Sequence, residues 1–192
     1  MLEYRRLASL LHVEIKSFER KRYSNLSHQA NKAMNLNSYI GLMGRSFREV
    51  KSNAKPYLVE CESSEATLAV PDAEYLLTLD ADSIVLPDYA LRLTHILMKN
   101  PRVAVAQTPY SAFPGAPGLL ERVAGATTDI QYIIHQGFTR FAATYWVGAN
   151  AMLRLSALRD ICTYTEERGY RLPVFIQERT VIEDTEIGRA HV

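Results

Sequence analysis

The stretch "YLLTLDADS", residues 75–83, constrains the fold of this chain more than any other. Tyr75 to Leu79 is a short continuous apolar run without the alternation of a half-exposed strand, which is the pattern of a strand covered on both faces. It stops at Asp80, Ala81, Asp82 and Ser83. Pro87 and Asp88 then open a helix, "DYALRLTHILMKN", that ends at Asn100-Pro101, because proline disfavours a helical residue before it. "RVAVAQ" follows as a second buried strand. Strands alternating with helices predict an α/β fold with a mixed, mostly parallel sheet and flanking helices. Ligands of such sheets bind beyond the carboxyl ends of the strands, and Asp80 and Asp82 fall at such an end.

The rest of the chain is punctuated less sharply. Val13 to Phe18 alternates as a strand, residues 19–28 read as a polar loop, and Ala30 to Met43 has helical spacing that ends at Gly44. Residues 45–73 are polar and irregular, with a short strand at Tyr57 to Val59. A Pro- and Gly-rich loop, "TPYSAFPGAPG", precedes a helix from Leu119 to about Gln136. "YWVGANAMLR" reads as strand, glycine turn and strand, and Ser156 as the cap of a helix running to about Thr165. "RLPVFIQERTVIEDT" is loop and strand leading to acidic residues. No internal repeat or low-complexity tract is present.

Charge and cysteine usage exclude several functions. Twenty-two basic and 21 acidic residues leave a formal charge of +1 over 192 residues, so nothing marks a general nucleic-acid or membrane-surface partner. Cys61 and Cys162 have no C-x-x-C spacing, which suggests neither a disulfide framework nor a zinc site and fits a reducing cytosol. No apolar run reaches the roughly 18 residues of a membrane span, and "MLEYRRLASLLHVE" carries charges where a signal peptide needs its apolar stretch.

The carboxylates carry the chemistry. On an extended segment residues i and i+2 point the same way, so Asp80 and Asp82 can present oxygens to one hard cation, Mg²⁺ or Mn²⁺, that also takes diphosphate oxygens. The competing reading has Asp82 and Ser83 capping a turn while Asp80 accepts from backbone amides. A second acidic pair, Glu183-Asp184, is either a catalytic group or an ordinary helix N-terminal acid favoured by the macrodipole. One acidic site on metal and one free would divide acid–base labour. His12, His28, His95 and His135 have no ligand spacing. Tyr145 and Trp146 offer flat faces for a sugar ring, with core packing the competing reading.

In order along the chain, "NKAMNLN", "LLTLDADS", "VAQTPY", "YWVGANAMLR" and "VIEDT" resemble the motifs of the family 2 glycosyltransferases, in particular the cellulose synthase-like branch. One such motif is weak; five in sequence over residues 31–185 are specific. The resemblance implies a GT-A, Rossmann-like fold and transfer of a sugar with inversion from a nucleotide-diphosphate sugar, UDP-sugar above all, to a saccharide or other acceptor in polysaccharide synthesis. It implies that Lys32, Asn35 and Asp80 contact the nucleotide sugar and that Asp80 and Asp82 hold Mg²⁺ or Mn²⁺. It further implies that Gln107, with Thr108 and Pro109, lines the floor of the site, that Trp146, Gly148 and Asn150 belong to the turn beside the acceptor, and that Asp184 is the general base. Met34 stands where the family has Gly, "WVGAN" replaces an F-C-G-S-like turn, and Ile182 replaces Thr.

The family's first nucleotide-binding strand, its Q-x-x-R-W motif and its membrane helices have no counterpart here. Residues 1–185 are therefore expected to be a partial catalytic domain, truncated at both ends and inactive alone, from a parent that sits at the cytoplasmic face of the plasma (inner) membrane through segments absent from this chain. Residues 186–192, "EIGRAHV", resemble the translation of a sequencing-library adapter and are expected to be a non-native tail. Two rival readings stand beside this one. "LLTLDADSIVL" also resembles the nucleophile motif of haloacid dehalogenase-like phosphatases, although that motif normally opens its domain. A non-catalytic sugar-nucleotide-binding domain would keep the fold without turnover.

Overall fold

The computed structural model describes residues 14–109, 115, 117–141, 143–148 and 150–177. The first helix, α1 (Lys32–Ile40), starts where Asn31 leaves the extended region and its side-chain oxygen accepts from the Met34 amide at 2.7 Å, a standard N-cap. It buries Ala33, Met34, Asn37, Ser38 and Ile40. Before it, residues 14–18 form no strand, contrary to the alternation of Val13 to Phe18, and Arg20–Arg22 make a single 3-10 turn. Three antiparallel strands follow, β1 (Ser46–Val50), β2 (Tyr57–Glu60) and β3 (Leu68–Ala69), in the order β2-β1-β3. Their polar sequence hides two of them from pattern reading, because this sheet buries little beyond Phe47 and Leu58.

The central sheet is built from β4 (Tyr75–Thr78), β5 (Val105–Gln107) and β6 (Ala151–Arg154), in the order β4-β6-β5. Among the described residues every strand pair is antiparallel, so the mostly parallel sheet expected from the sequence is not what pairs. The reason lies in β6. Both β4 and β5 run antiparallel to it and therefore point the same way. The strand–helix–strand unit exists, but β6, which begins 44 residues after β5 ends, lies between its two members. Sequence pattern shows runs, not which run returns between which.

The connecting helix α2 (Tyr89–Lys99) packs Leu93 and Leu97 against Ala106 and Met152. A distant side chain ties its last turn to the start of β5: Arg154 donates from Nη2 to the Leu97 carbonyl at 2.7 Å and from Nε to the Val103 carbonyl at 3.2 Å. A cation at a helix C-terminus also complements the macrodipole. Helix α3 (Leu119–Arg140) is longer than expected and leaves most of its apolar side chains exposed, among them Leu120, Ile130 and Ile133. Of "YWVGANAMLR" only the second strand forms. Ser156 lies inside α4 (Leu155–Asp160), whose N-cap is Arg154, and the helix gives way early to a hairpin of β7 (Thr163–Glu167) and β8 (Tyr170–Val174). Arg168 and Gly169 take left-handed φ values of 54° and 79° at the hairpin tip, as a tight two-residue turn requires.

The main core joins Ile40, Leu42 and Phe47 to Leu153, Leu155, Leu158 and Ile176, with Trp146 among them. Among the described residues no helix is long and apolar enough to cross a membrane.

Candidate functional site

The register of the central sheet gathers three of the sequence motifs at one end. Thr78 pairs with Ala151 across β4 and β6, and Gln107 pairs with the same Ala151 across β5 and β6. One step further, the chain leaves β4 into Leu79 and Asp80, leaves β5 into Thr108 and Pro109, and between them enters β6 through Gly148 and Asn150. This is the carboxyl end of β4 and β5, where α/β sheets carry their ligands.

Helix α1 brings the fourth motif. Lys32, its first residue, places Nζ 2.6 Å from Asp80 Oδ1. The two side chains are 40% and 36% exposed. An ion pair so open contributes about 1 kcal/mol or less to stability; its interest is the placement of a cation beside the strand-end carboxylate. Asp82 behaves differently from the expectation. Residues 81 and 82 form a turn, closed by the Ser83 amide donating to the Asp80 carbonyl at 3.0 Å. The alternation argument for two parallel side chains therefore does not apply to Asp82, although both residues stay at the mouth of the site.

Behind Lys32 the backbone is fixed by buried polar side chains that the sequence did not single out. The Arg20 guanidinium, 5% exposed, donates to the carbonyls of Ser27 and Gln29 and, from Nε, to Asn35 Oδ1 at 3.3 Å. Burial lowers its pKa from the ordinary value, and the Glu167 charge opposes that. Asn35 is thus held from one side by Arg20. Asn37, fully buried, accepts from the Phe175 and Ile176 amides at 3.0 and 2.9 Å and donates to the Ile176 carbonyl at 2.7 Å. It ties α1 to the chain leaving β8. Glu167 accepts from Ser27 Oγ at 2.6 Å and from the His28 amide at 2.7 Å, which docks the hairpin on the same loop.

On the other side of the sheet end, Gln107 is a clamp: Nε2 donates to the Tyr145 carbonyl at 2.6 Å and Oε1 accepts from the Val147 amide at 3.1 Å. Tyr89, from the first turn of α2, donates its phenolic proton to the Asn150 carbonyl at 2.7 Å, which leaves the Thr108 hydroxyl, 2.8 Å away, to donate to the phenol. Burial raises the Tyr89 pKa and the Thr108 bond opposes it. Gly148 and Asn150 adopt left-handed φ values of 93° and 51°. Asparagine tolerates that region where a β-branched residue does not. Trp146 does not meet its expectation. It is 1% exposed and packed in the main core, so its ring offers no face to an acceptor: burial of its large apolar area wins.

Between this clamp and α3 lies a cavity of about 510 Å³, lined by Gln107, Thr108, Pro109 and Val147 on the sheet side and by Thr128, Gln131 and His135 among others on the helix. Among the described residues its lining includes no Asp, Glu, Lys or Arg. His135, dismissed in the sequence for want of ligand spacing, is 7% exposed, and burial pulls its pKa below the ordinary value, so the ring is neutral near pH 7. No local pattern marks it, since its neighbours come from the chain leading into β6. Among the described residues no cluster of three or more His, Cys, Asp or Glu side chains could hold a metal. Asp80 and Asp82 supply two hard oxygen groups at the strand end, which suits a Mg²⁺ or Mn²⁺ ion completed by phosphate oxygens and water. Glu183, Asp184 and residues 186–192 lie outside the described residues.

Two features thus share one sheet end: an open pair of a lysine and a carboxylate, and a cavity whose described lining carries no charge. The chain belongs to glycosyl transferase family group 2, whose model matches residues 75–190. It is also similar to "Probable glucomannan 4-beta-mannosyltransferase 7" of Oryza sativa subsp. japonica, 26% identical over 161 residues that make up 83% of this chain and 24% of that protein. The chain thus spans about a quarter of that relative's length. No solved structure matches it significantly. The family match includes "LLTLDADS", the stretch that also suggested a phosphatase.

Proposed function

We propose that this chain carries the donor and acceptor subsites of an inverting glycosyltransferase that moves a sugar from a nucleotide-diphosphate sugar to a saccharide acceptor in polysaccharide synthesis. The observation that carries the reading is the Lys32–Asp80 pair at the mouth of β4, at the same sheet end as a cavity whose described lining has no charge. The rice relative, named for mannosyl transfer to glucomannan, makes a β-linked hexose chain the first acceptor to try.

Inverting transfer is a displacement at the anomeric carbon in which charge gathers on the leaving diphosphate. Lys32 meets that charge directly in this reading. Asp80 and Asp82 would hold Mg²⁺ or Mn²⁺, which neutralises the diphosphate when bound. Gln107 and Tyr89 fix the two loops that face the acceptor, so that its hydroxyl is presented in one orientation. Asp184 takes the proton from that hydroxyl. Attachment at the cytoplasmic face of a membrane through segments outside this chain accompanies the reading.

The test uses Asp82→Asn. Mn²⁺-dependent binding of a nucleotide sugar, followed by calorimetry, is expected to weaken far more than binding of the nucleotide without metal. Equal losses with and without metal would show Asp82 to be a turn residue only, and the metal assignment would fall.

A further inference from the structure

We propose that Arg20 is a positioning residue for the donor: with Glu167, it holds residues 27–31 so that Lys32 stands ready for a diphosphate. The inference rests on the glycosyltransferase reading for what Lys32 binds, and on the contacts of the loop for how Lys32 is held.

Lys32 is not fixed by its own contact. Its side chain is 40% exposed, and its ammonium meets Asp80 in a pair open to water. Such a pair holds a long, flexible side chain only weakly. Lys32 is the first residue of α1, so the path of the backbone into that helix decides where the ammonium can reach.

Arg20 grips this path from inside. It is 5% exposed, and its guanidinium donates to three alternate carbonyls of the incoming chain, those of Ser27, Gln29 and, at 3.5 Å, Asn31. Nε reaches past the start of the helix to Asn35 Oδ1 at 3.3 Å. The Asn31 carbonyl also accepts from the Asn35 amide at 3.4 Å, and the Asn31 side chain caps the Met34 amide. One guanidinium therefore touches the residue that starts the helix and the residue one turn in. Acceptors spread from residue 27 to residue 35 suit a planar fork with five N–H donors; the point charge of an ammonium does not span them. From the other side Glu167 accepts from Ser27 Oγ and the His28 amide, and Arg168 donates to the Leu26 carbonyl. The Glu167 charge also opposes the effect of burial on Arg20. Burying a cation is unfavourable unless it is well bonded. Here the bonds converge on the approach to one ammonium, and charge fixed beforehand needs no rearrangement when a diphosphate arrives.

The experiment is a double-mutant cycle on the 192-residue chain. UDP and GDP, each with Mn²⁺, are titrated by calorimetry into wild type, R20K, K32M and the R20K/K32M double variant, and the tighter nucleotide is used throughout. R20K keeps the charge and loses the fork. It is expected to weaken binding about fivefold when Lys32 is present and less than about twofold when Lys32 is methionine. A role in stability alone would lower the denaturation midpoint and give the same fold-loss in both backgrounds; that result would overturn the proposal, as would wild-type affinity in R20K. If R20K fails to fold, E167Q, which loosens the same loop from the hairpin side, takes its place in the cycle with the same expectation and the same overturning result. K32M that binds like wild type, or a wild-type chain that binds neither nucleotide, would sink the transferase reading of Lys32 and this inference with it. A clear loss in K32M with an additive R20K would sink only the present proposal.

Discussion

Lys32 and Asp80 meet at the mouth of β4, and that contact separates charge placement from stability. At their exposure the pair adds little to folding. Lys32→Met is therefore expected to shift the unfolding free energy by about 1 kcal/mol at most, measured by denaturant titration, while weakening nucleotide-sugar binding roughly tenfold or more, as loss of a charge-assisted bond to phosphate implies. For Asp184 the split is different. If it is the base, its work begins only when a hydroxyl must lose its proton, so Asp184→Asn should leave donor affinity within a few-fold while transfer by the protein that contains this chain slows by roughly 10²-fold. Near-normal turnover would pass the role to Glu183. Asp80 was legible as a strand-end carboxylate because an apolar run stops at it; Lys32 was marked by the family resemblance alone, and Asp82 falls in a turn that the alternation did not show. Tyr89, Asn37 and Arg20 were not: Tyr89 and Asn37 find partners 61 and 139 residues away, and nothing near them in sequence signals it.

At the scale of elements, β6 is the strand that matters and the one the sequence undersold. It is paired on both edges, whereas each of β4 and β5 has a described partner on one edge only. Amides of Ala151 to Arg154 should therefore exchange with solvent more slowly than those of the flanking strands, by hydrogen-exchange NMR. The apolar runs of β4 and β5 and the helix between them were readable because they alternate type cleanly, although both strands are only partly buried rather than covered on both faces; β1 and β7 were not, because "SFREV" and "TYTEE" bury too little to show a period. The β7–β8 hairpin has its own pH signature. Burial pushes the Glu167 carboxyl up, but the bonds from Ser27 and the His28 amide, with the Arg168 charge, outweigh it and leave the pKa below the ordinary 4.5. A group depressed on folding stabilises above its unfolded value and loses that contribution as pH falls through the folded one. Acidification below 4.5 should thus release the hairpin from the 27–31 loop, and Glu167→Gln should flatten that part of the stability profile.

As a whole, the molecule is balanced in charge and generous in exposed apolar surface. Its formal charge is +1 and its sequence pI about 7.8, while Leu119, Leu120, Ile133 and Phe141 stand open to solvent. Self-repulsion is weakest where net charge vanishes, so solubility is expected to be lowest near pH 7.8 and to rise on moving to pH 6, by light scattering. The two loops at the sheet end are joined three ways: the Tyr89 phenol bonds Thr108 and Asn150, the Thr108 amide donates to the Asn150 carbonyl at 3.2 Å, and Gln107 holds Tyr145 and Val147. Those bonds make them one opening unit. A fluctuation that frees Thr108 also disturbs Asn150, so the mouth breathes with one rate rather than two, and Tyr89→Phe would quicken that rate without dividing it.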